Sequence, residues 1–441
     1  MLPTHSHADR RELNDEVHAR AYENLFAPEQ VSQLIMLVTP EDRANEHAHI
    51  ARLCRAWRIA APESGGRIYF DNGEVRVQIE RHQEFTRYWF GRRVVCGEGG
   101  RTEGIGAFEN ALCNALPHDW LNQLPGTLLV AAHVELIPKE EESRFRTEED
   151  LSRVFEGNRV IAAKIAGGAG RAYTDFRIHA DGYSRFLVVD ESLSPGQAGR
   201  TVQRLLEIET YRMLALMAFP EARKLIPQLR TADRDLLHLT AGLARGGGET
   251  DEAIQAELTE LAAKVENLLS ASYSRFDASR AYHAIVNTRL EQLREERIPG
   301  FPTFTEYLTR RLSPAMQTCN AVAHGLEQLS RRIANANQLL TTRIDVKLAQ
   351  QNQSLLQSMN RRAKLQLRLQ QTVEGLSAVA ITYYGVSLAN ELFKGLKAAG
   401  LYFVNVEFMT GLSVPWVGYM VYRGLCRFRE TIEQDDLPEQ K

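Results

Sequence analysis

Glu374, Asn390, Glu391, Asn405 and Glu407 stand at the borders of two uncharged stretches near the C-terminus. Carboxylate and amide oxygens beside apolar segments attract cations, and one carboxylate per chain in a ring of subunits makes a cation-selective mouth. Placement at the boundary between water and an apolar medium accounts for the same positions. A second concentration of polar groups is Asp175, Arg177, His179, Asp181 and Arg185. Read as a strand, its first three members share one sheet face at period two. They form either a polar site or a solvated face with a cross-strand ion pair to Arg185.

Arg200, Arg204, Glu207, Glu209 and Arg212 share one expected helix. Arg204–Glu207 and Glu209–Arg212, three apart, are the spacing of surface ion pairs, each contributing only ~0.2–0.5 kcal/mol. A functional role would require burial. Asn14, Asp15, Glu16, His18 and Arg20 form an N-terminal polar string whose Asp and His could ligate a metal, but near a terminus a capping or docking segment explains them better. His47 and His49 are two apart on an expected helix and so point to different sides. Gly167-Gly168-Ala169-Gly170 lacks the Lys-Ser/Thr of a phosphate loop and reads as a turn. No nucleophile elbow, zinc-protease helix or kinase string is present. The expectation is therefore a protein without covalent chemistry. It implies no certain cofactor beyond a divalent cation at the C-terminal oxygens.

These residues need elements to position them. Val31–Val38 is apolar and β-prone, and 41–61 has helical composition. The segments 67–71 and 74–82 alternate around Asp71-Asn72-Gly73, where Asn-Gly supplies the positive φ of a tight hairpin. Strands are expected at 85–95, 127–137, 160–165, 171–179 and 183–189, and a helix near 107–116. The result is a mixed α/β domain over 1–190. After Pro195 strand signals cease. Helices are expected at 197–219, 232–244 and 249–297, giving an antiparallel helical region over 195–312. Cys319, Val322, Leu326, Leu329, Ile333, Ala336, Leu340, Ile344, Leu348, Asn352, Leu355 and Met359 then step by three or four. This is a coiled-coil seam on a stalk helix over 313–372, and continued to about 375 such a helix would be roughly 90 Å long.

The stalk runs into Gly375–Ala389, fifteen residues without a charge, and Phe408–Tyr422 is an equal uncharged run. Arg361, Arg362, Lys364 and Arg368 precede the first and Arg423, Arg427 and Arg429 follow the second, a positive-inside pattern. A membrane hairpin over 373–429 and a polar tail over 430–441 follow. Each run is short of the ~20 residues that span a bilayer, so a buried hairpin in a larger helical protein is the alternative.

The chain has 441 residues, 44% hydrophobic and 25% charged, enough for two or three structural units with a sizeable core. A net charge of −3 argues against a general nucleic-acid partner. The five cysteines form no C-x-x-C pair, which argues against a zinc knuckle and against a disulfide framework. The N-terminus lacks the apolar core of a signal peptide.

Leu13-Asn14-Asp15-Glu16-Val17-His18-Ala19-Arg20, Glu84-Phe85-Thr86-Arg87-Tyr88, Thr174-Asp175-Phe176-Arg177 with Asp181-Gly182, Gln203 through Arg212, and Leu367-Arg368-Leu369-Gln370 through Tyr384 are long, distinctive strings. On these the chain resembles, over nearly its whole length, a bacterial family of uncharacterised, predicted membrane-anchored proteins. Ala21 stands where that family has proline. In architecture, and at Met359-Asn360, Lys364 and Tyr384-Gly385, it is also similar to CorA-type magnesium channels. Their Gly-Met-Asn pore motif is absent, Gly385 being followed by Val386-Ser387.

The fold expected is an α+β N-terminal domain, then a long coiled-coil stalk and a C-terminal two-helix transmembrane hairpin. The resemblances imply a homo-oligomer in the bacterial inner membrane, in contact with the lipid bilayer, with both termini cytoplasmic. Its function would be cation conduction or sensing. A membrane-anchored scaffold without transport is the competing expectation, and an enzyme comes third.

Overall fold

The structure is a computed structural model describing residues 7, 9, 10, 14, 22–63, 65–94, 108, 112–145, 147–245, 250–400 and 405–435. The chain divides into two compact units, 1–337 and 338–441.

Unit 1 is built on a nine-stranded sheet. In chain order the strands are β1 (Glu29–Leu37), β2 (Arg67–Asp71), β3 (Arg76–Arg81), β4 (Phe85–Arg93), β5 (Thr127–Pro138), β6 (Ile161–Ile165), β7 (Gly170–Thr174), β8 (Ser184–Asp190) and β9 (Glu296–Arg297). In space they run β2-β3-β4-β1-β5-β8-β7-β6-β9. All neighbours pair antiparallel except β5 and β8, which run parallel and join the two halves. The Asn-Gly hairpin forms as expected. Gly73 takes φ 89°, and the Asn72 side chain accepts from the amides of Glu74 and Val75 at 2.9 and 2.7 Å.

The helices of this unit are α1 (Pro40–Ala56), α2 (His118–Leu121), α3 (Glu148–Val154), α4 (Pro195–Leu216), α5 (Ala218–Arg245), α6 (Asp251–Leu293), α7 (Phe304–Arg311) and the start of α8 (Ser313–Ala398). Local chemistry sets their starts. Thr39 with Asp42 and Ser194 with Gln197 form capping boxes, each followed by proline in the first turn. One core joins β1, β5 and β6–β8 to α4, α6, α7 and α8 through Leu136, Val188, Leu205, Phe276, Phe304 and Leu326. On β1–β4, α1 and Trp120 cover a second core around Tyr88 and Phe90. Gly199 is required where the chain crosses α4, since a Cβ there would lie 1.7 Å from the Glu23 carbonyl oxygen. Of the helix expected near 107–116, residues 108 and 112–116 are described, and Leu112–Ala115 form a short 3-10 turn. The helices expected at 197–219 and 232–244 become α4 and one continuous α5 that includes Pro227.

The seam forms within unit 1. Cys319, Val322, Leu326, Leu329, Ile333 and Ala336 are all buried. Gly325 lets the helices approach closely, because a Cβ there would stand 2.7 Å from Leu229 of α5.

Unit 2 holds the rest of α8 and α9 (Val406–Asp435). The two-helix transmembrane hairpin expected over 373–429 is overturned. Among the described residues no helix is long and apolar enough to cross a membrane. The uncharged runs are fifteen residues each, diluted by Gly375, Ser377, Thr382, Gly385 and Ser387 in one and Thr410, Gly411, Ser413, Pro415 and Gly418 in the other. Widening either run toward ~20 residues brings in Glu374, Glu391 or Glu407. Inner-membrane placement with both termini cytoplasmic, the CorA-like conducting architecture and the membrane-anchored scaffold all rested on that hairpin and are withdrawn with it.

Candidate functional site

The family-like string Thr174-Asp175-Phe176-Arg177 leaves the sheet instead of continuing as a strand to His179. β7 ends at Thr174. Thr174 Oγ1 donates to the Arg185 carbonyl at 2.7 Å and accepts the Phe176 amide at 3.2 Å, while Asp175 Oδ1 accepts the Arg177 amide at 3.0 Å. These side-chain bonds compete with the ladder and turn the chain outward. Phe176 takes φ 53°, a left-handed conformation rare for a bulky residue. Its ring packs on Tyr307, Phe304 and Phe186.

The turn brings Asp175 and His179 together, though not by strand periodicity. His179 Nε2 lies 3.0 Å from Asp175 Oδ2, with both side chains fully buried. Its Nδ1 lies 3.4 Å from Glu156 Oε2. Asn158 Nδ2 donates to Asp175 at 2.9 Å. Arg185 reaches Asp181 at 3.0 Å and Glu156 at 3.3 Å. Burial raises the Asp181 carboxyl pKa, but the Tyr183 amide and Arg185 outweigh it and hold the group below its usual range. Of the five residues singled out in sequence, Asp175, His179, Asp181 and Arg185 join one network. The exposed Arg177 contributes only its amide. Glu156 and Asn158 were missed. Their signal was the turn Glu156-Gly157-Asn158, which has positive φ at its first two residues. Among the described residues no hydroxyl or thiol bonds to His179.

The α4 string resolves differently from its spacing. Arg212 forks onto Glu209 at 2.6 and 2.7 Å, with both side chains largely buried. Glu207 pairs with Arg289 of α6 and accepts from Gln203 at 2.7 Å. Arg204, expected to pair with Glu207, has no ion pair or hydrogen bond among the described residues, and its Nε is buried. His49 stacks on Trp120 at 4.7 Å, whereas His47 is exposed. Of the N-terminal string only Asn14 lies within the described residues. Gly167 and Gly168, at φ 69° and 87°, make the turn between β6 and β7.

The expected pore residues lie on the surface of unit 2. Glu374, Glu391, Asn405 and Glu407 are exposed and Asn390 is half-buried. Glu374 accepts from Gln370 at 3.2 Å and Glu391 pairs with Lys394 at 2.8 Å. Asn390 accepts the Thr410 hydroxyl at 3.0 Å, and Asn405 caps the Glu407 amide at 3.2 Å. Among the described residues no three His, Cys, Asp or Glu side chains are grouped to hold a metal ion.

In unit 2 the helices meet at small residues. A Cβ on Gly385 would stand 2.8 Å from Val417, and one on Gly418 would stand 3.8 Å from Thr382. Elsewhere large apolar side chains face outward, including Leu348, Leu355 and Met359 and, further on, Tyr383, Tyr384, Trp416, Tyr419 and Tyr422.

A mixed-sheet domain with a helical layer and a long helix leading into a helical pair defines an α+β protein. Residues 5–432 match the family model described as protein of unknown function (DUF3422), and the chain belongs to that family. Comparison with curated proteins and with solved structures gave no match.

Proposed function

We propose that this protein is an assembly protein, in which the helical pair of unit 2 joins the same pair of a second copy and the sheet domain serves as its binding module. The carrying observation is the seam. Its three-and-four stepping is buried through Leu340 but continues outward-facing at Leu348, Leu355 and Met359, which are 52%, 61% and 65% exposed. A repeat kept beyond the residues that cover it calls for another helix of matching period, and a copy of the same helix has it. The area agrees. Tyr383, Tyr384, Trp416, Tyr419 and Tyr422 are each more than half exposed. A buried aromatic covers roughly 150–250 Å², so burying these and the aliphatic residues among them reaches the ~800 Å² per partner of a standard interface. Large apolar side chains left exposed in such number mark an interaction surface. The carboxylate and amide oxygens on these helices, exposed except for the half-buried Asn390, act as caps and helix-surface pairs, and no covalent chemistry is assigned.

The test is co-expression of two differently tagged full-length copies, purified on one tag. The second tag is expected to co-purify with the wild-type chain and to be lost with Leu348→Asp/Leu355→Asp. Equal recovery in both backgrounds would reject the seam as the joining surface.

A further inference from the structure

The arginines at the start of α4 pose a problem that the assembly reading does not touch. Arg200, Arg204 and Arg294 line a cavity of about 400 Å³, together with Gln197, Thr201 and Glu291. This is within the size range of small-molecule sites. Arg200 lies over the Tyr22 ring at 5.8 Å and forms no ion pair among the described residues. Arg294 caps α6 with left-handed backbone, φ 47°, and its carbonyl accepts the Gly167 amide at 3.3 Å, so the main chain here is fixed. Arg289, next along, is already committed to Glu207.

Arg204 is the telling residue. Its buried Nε has no hydrogen-bond partner among the described residues. Burial first, then the neighbouring charges of Arg200, Arg289 and Arg294, hold its guanidinium below the usual arginine range, with Tyr22 opposing. Converging cations with a buried unpaired donor destabilise a fold unless something neutralises them. Among the described residues Glu291 is the carboxylate on the cavity wall, and it is exposed and pairs with none of the three. The favourable position of Arg294 at a helix C-terminus explains that residue alone. A planar guanidinium fork matches phosphate geometry, and clustered arginines are the usual way a protein holds a phosphoryl group.

We propose that this cavity binds a phosphate-bearing small molecule. Arg204 and Arg200 grip the phosphoryl oxygens, Arg294 closes from the α6 side, and Gln197 and Thr201 take hydrogen bonds from or to the remainder of the ligand. The cavity and its residues lie within unit 1 and are independent of self-association.

The probe is inorganic pyrophosphate, titrated into the full chain by calorimetry and followed in parallel by thermal unfolding, at constant ionic strength held with chloride. Wild type is expected to bind saturably and to unfold at higher temperature with pyrophosphate. Arg204→Gln is expected to weaken binding at least tenfold and to abolish the thermal increment. Without pyrophosphate it should unfold no lower than wild type, because it removes a repelled cation. Arg200→Gln serves if Arg204→Gln does not fold and should likewise lose at least tenfold. Arg311→Gln, outside the cavity, should bind as wild type. No saturable binding by wild type, wild-type affinity in both Arg204→Gln and Arg200→Gln, or a large drop in the unfolding temperature of pyrophosphate-free Arg204→Gln would each overturn the proposal. The last result would mean that the partner of Arg204 is already within the chain.

Discussion

Arg212 of α4 donates through Nη2 to the carbonyl oxygen of Phe176, at 3.3 Å, while its guanidinium sits 5.2 Å above the Phe176 ring. The same group forks onto Glu209. Two strings distant in sequence thus form one fastening, with the helix holding the left-handed turn that carries Asp175 and His179.

Removing that fastening leaves Glu209 buried and uncompensated. Breaking one side of a buried pair costs about 3–5 kcal/mol. Arg212→Met should therefore lower unfolding free energy by roughly 3 kcal/mol, at the low end because the arginine is partly open to solvent. Glu209→Gln/Arg212→Met should cost less than the sum of the single changes. Chemical denaturation of the four chains checks this, and strict additivity would show that the pair does not act as a unit.

Asp175 accepts from both Asn158 Nδ2 and the Arg177 amide and faces His179. Asp175→Ala should destabilise by about 2–3 kcal/mol through the unpaired donors it leaves. It should also increase hydrogen exchange at the amides of Phe176 and Arg177. Unchanged exchange there would place the turn's rigidity elsewhere.

Stability should depend on pH through two opposing effects. Burial pushes His133 down to about 4, with Asp181 opposing and Arg185 assisting. Burial, then Arg52, also pushes His49 down to about 4. The unfolded chain then binds more protons than the folded one from about 4 to 6.5, so these groups cost stability as pH falls through that window. Burial pushes Glu135 up to about 7 despite its bond from Gln30. There the folded chain binds more protons, and this contribution declines as pH rises from about 4.5 to 7. His133→Gln should flatten the acid loss, and Glu135→Gln should steepen the gain between pH 5 and 7. Denaturation midpoints across pH check both signs.

Much of this was legible in sequence. Asn72-Gly73 announced its hairpin because only a few residues tolerate that turn, and the stepping from Cys319 to Met359 announced a long helix. The order of the sheet was not legible, because the parallel pairing of β5 with β8 is decided by cores that form only in three dimensions. Asp175 and His179 were found as residues for the wrong reason, their meeting being made by a turn and not by period two. Glu156 could not be placed beside them, since nothing local links it to His179. The membrane expectation failed because flanking arginines and short uncharged runs describe a pair of packed helices as well as a spanning one. Glycines such as Gly385 serve there as close-contact points.

That contact gives another test. Gly385→Leu must displace Val417. It should loosen the α8–α9 pair, seen as faster exchange at the amides near Thr382 and Gly418, while the unfolding of unit 1 stays unchanged. Parallel loss in both units would contradict their division at Asn337.

Self-association is tested most directly by sedimentation equilibrium of the full chain without amphiphile. The predicted result is a multiple of 49.8 kDa that falls toward a single chain, with at least a tenfold weaker association constant, in Leu348→Asp/Leu355→Asp. A stable single chain at all concentrations, or an assembly indifferent to those substitutions, would contradict it.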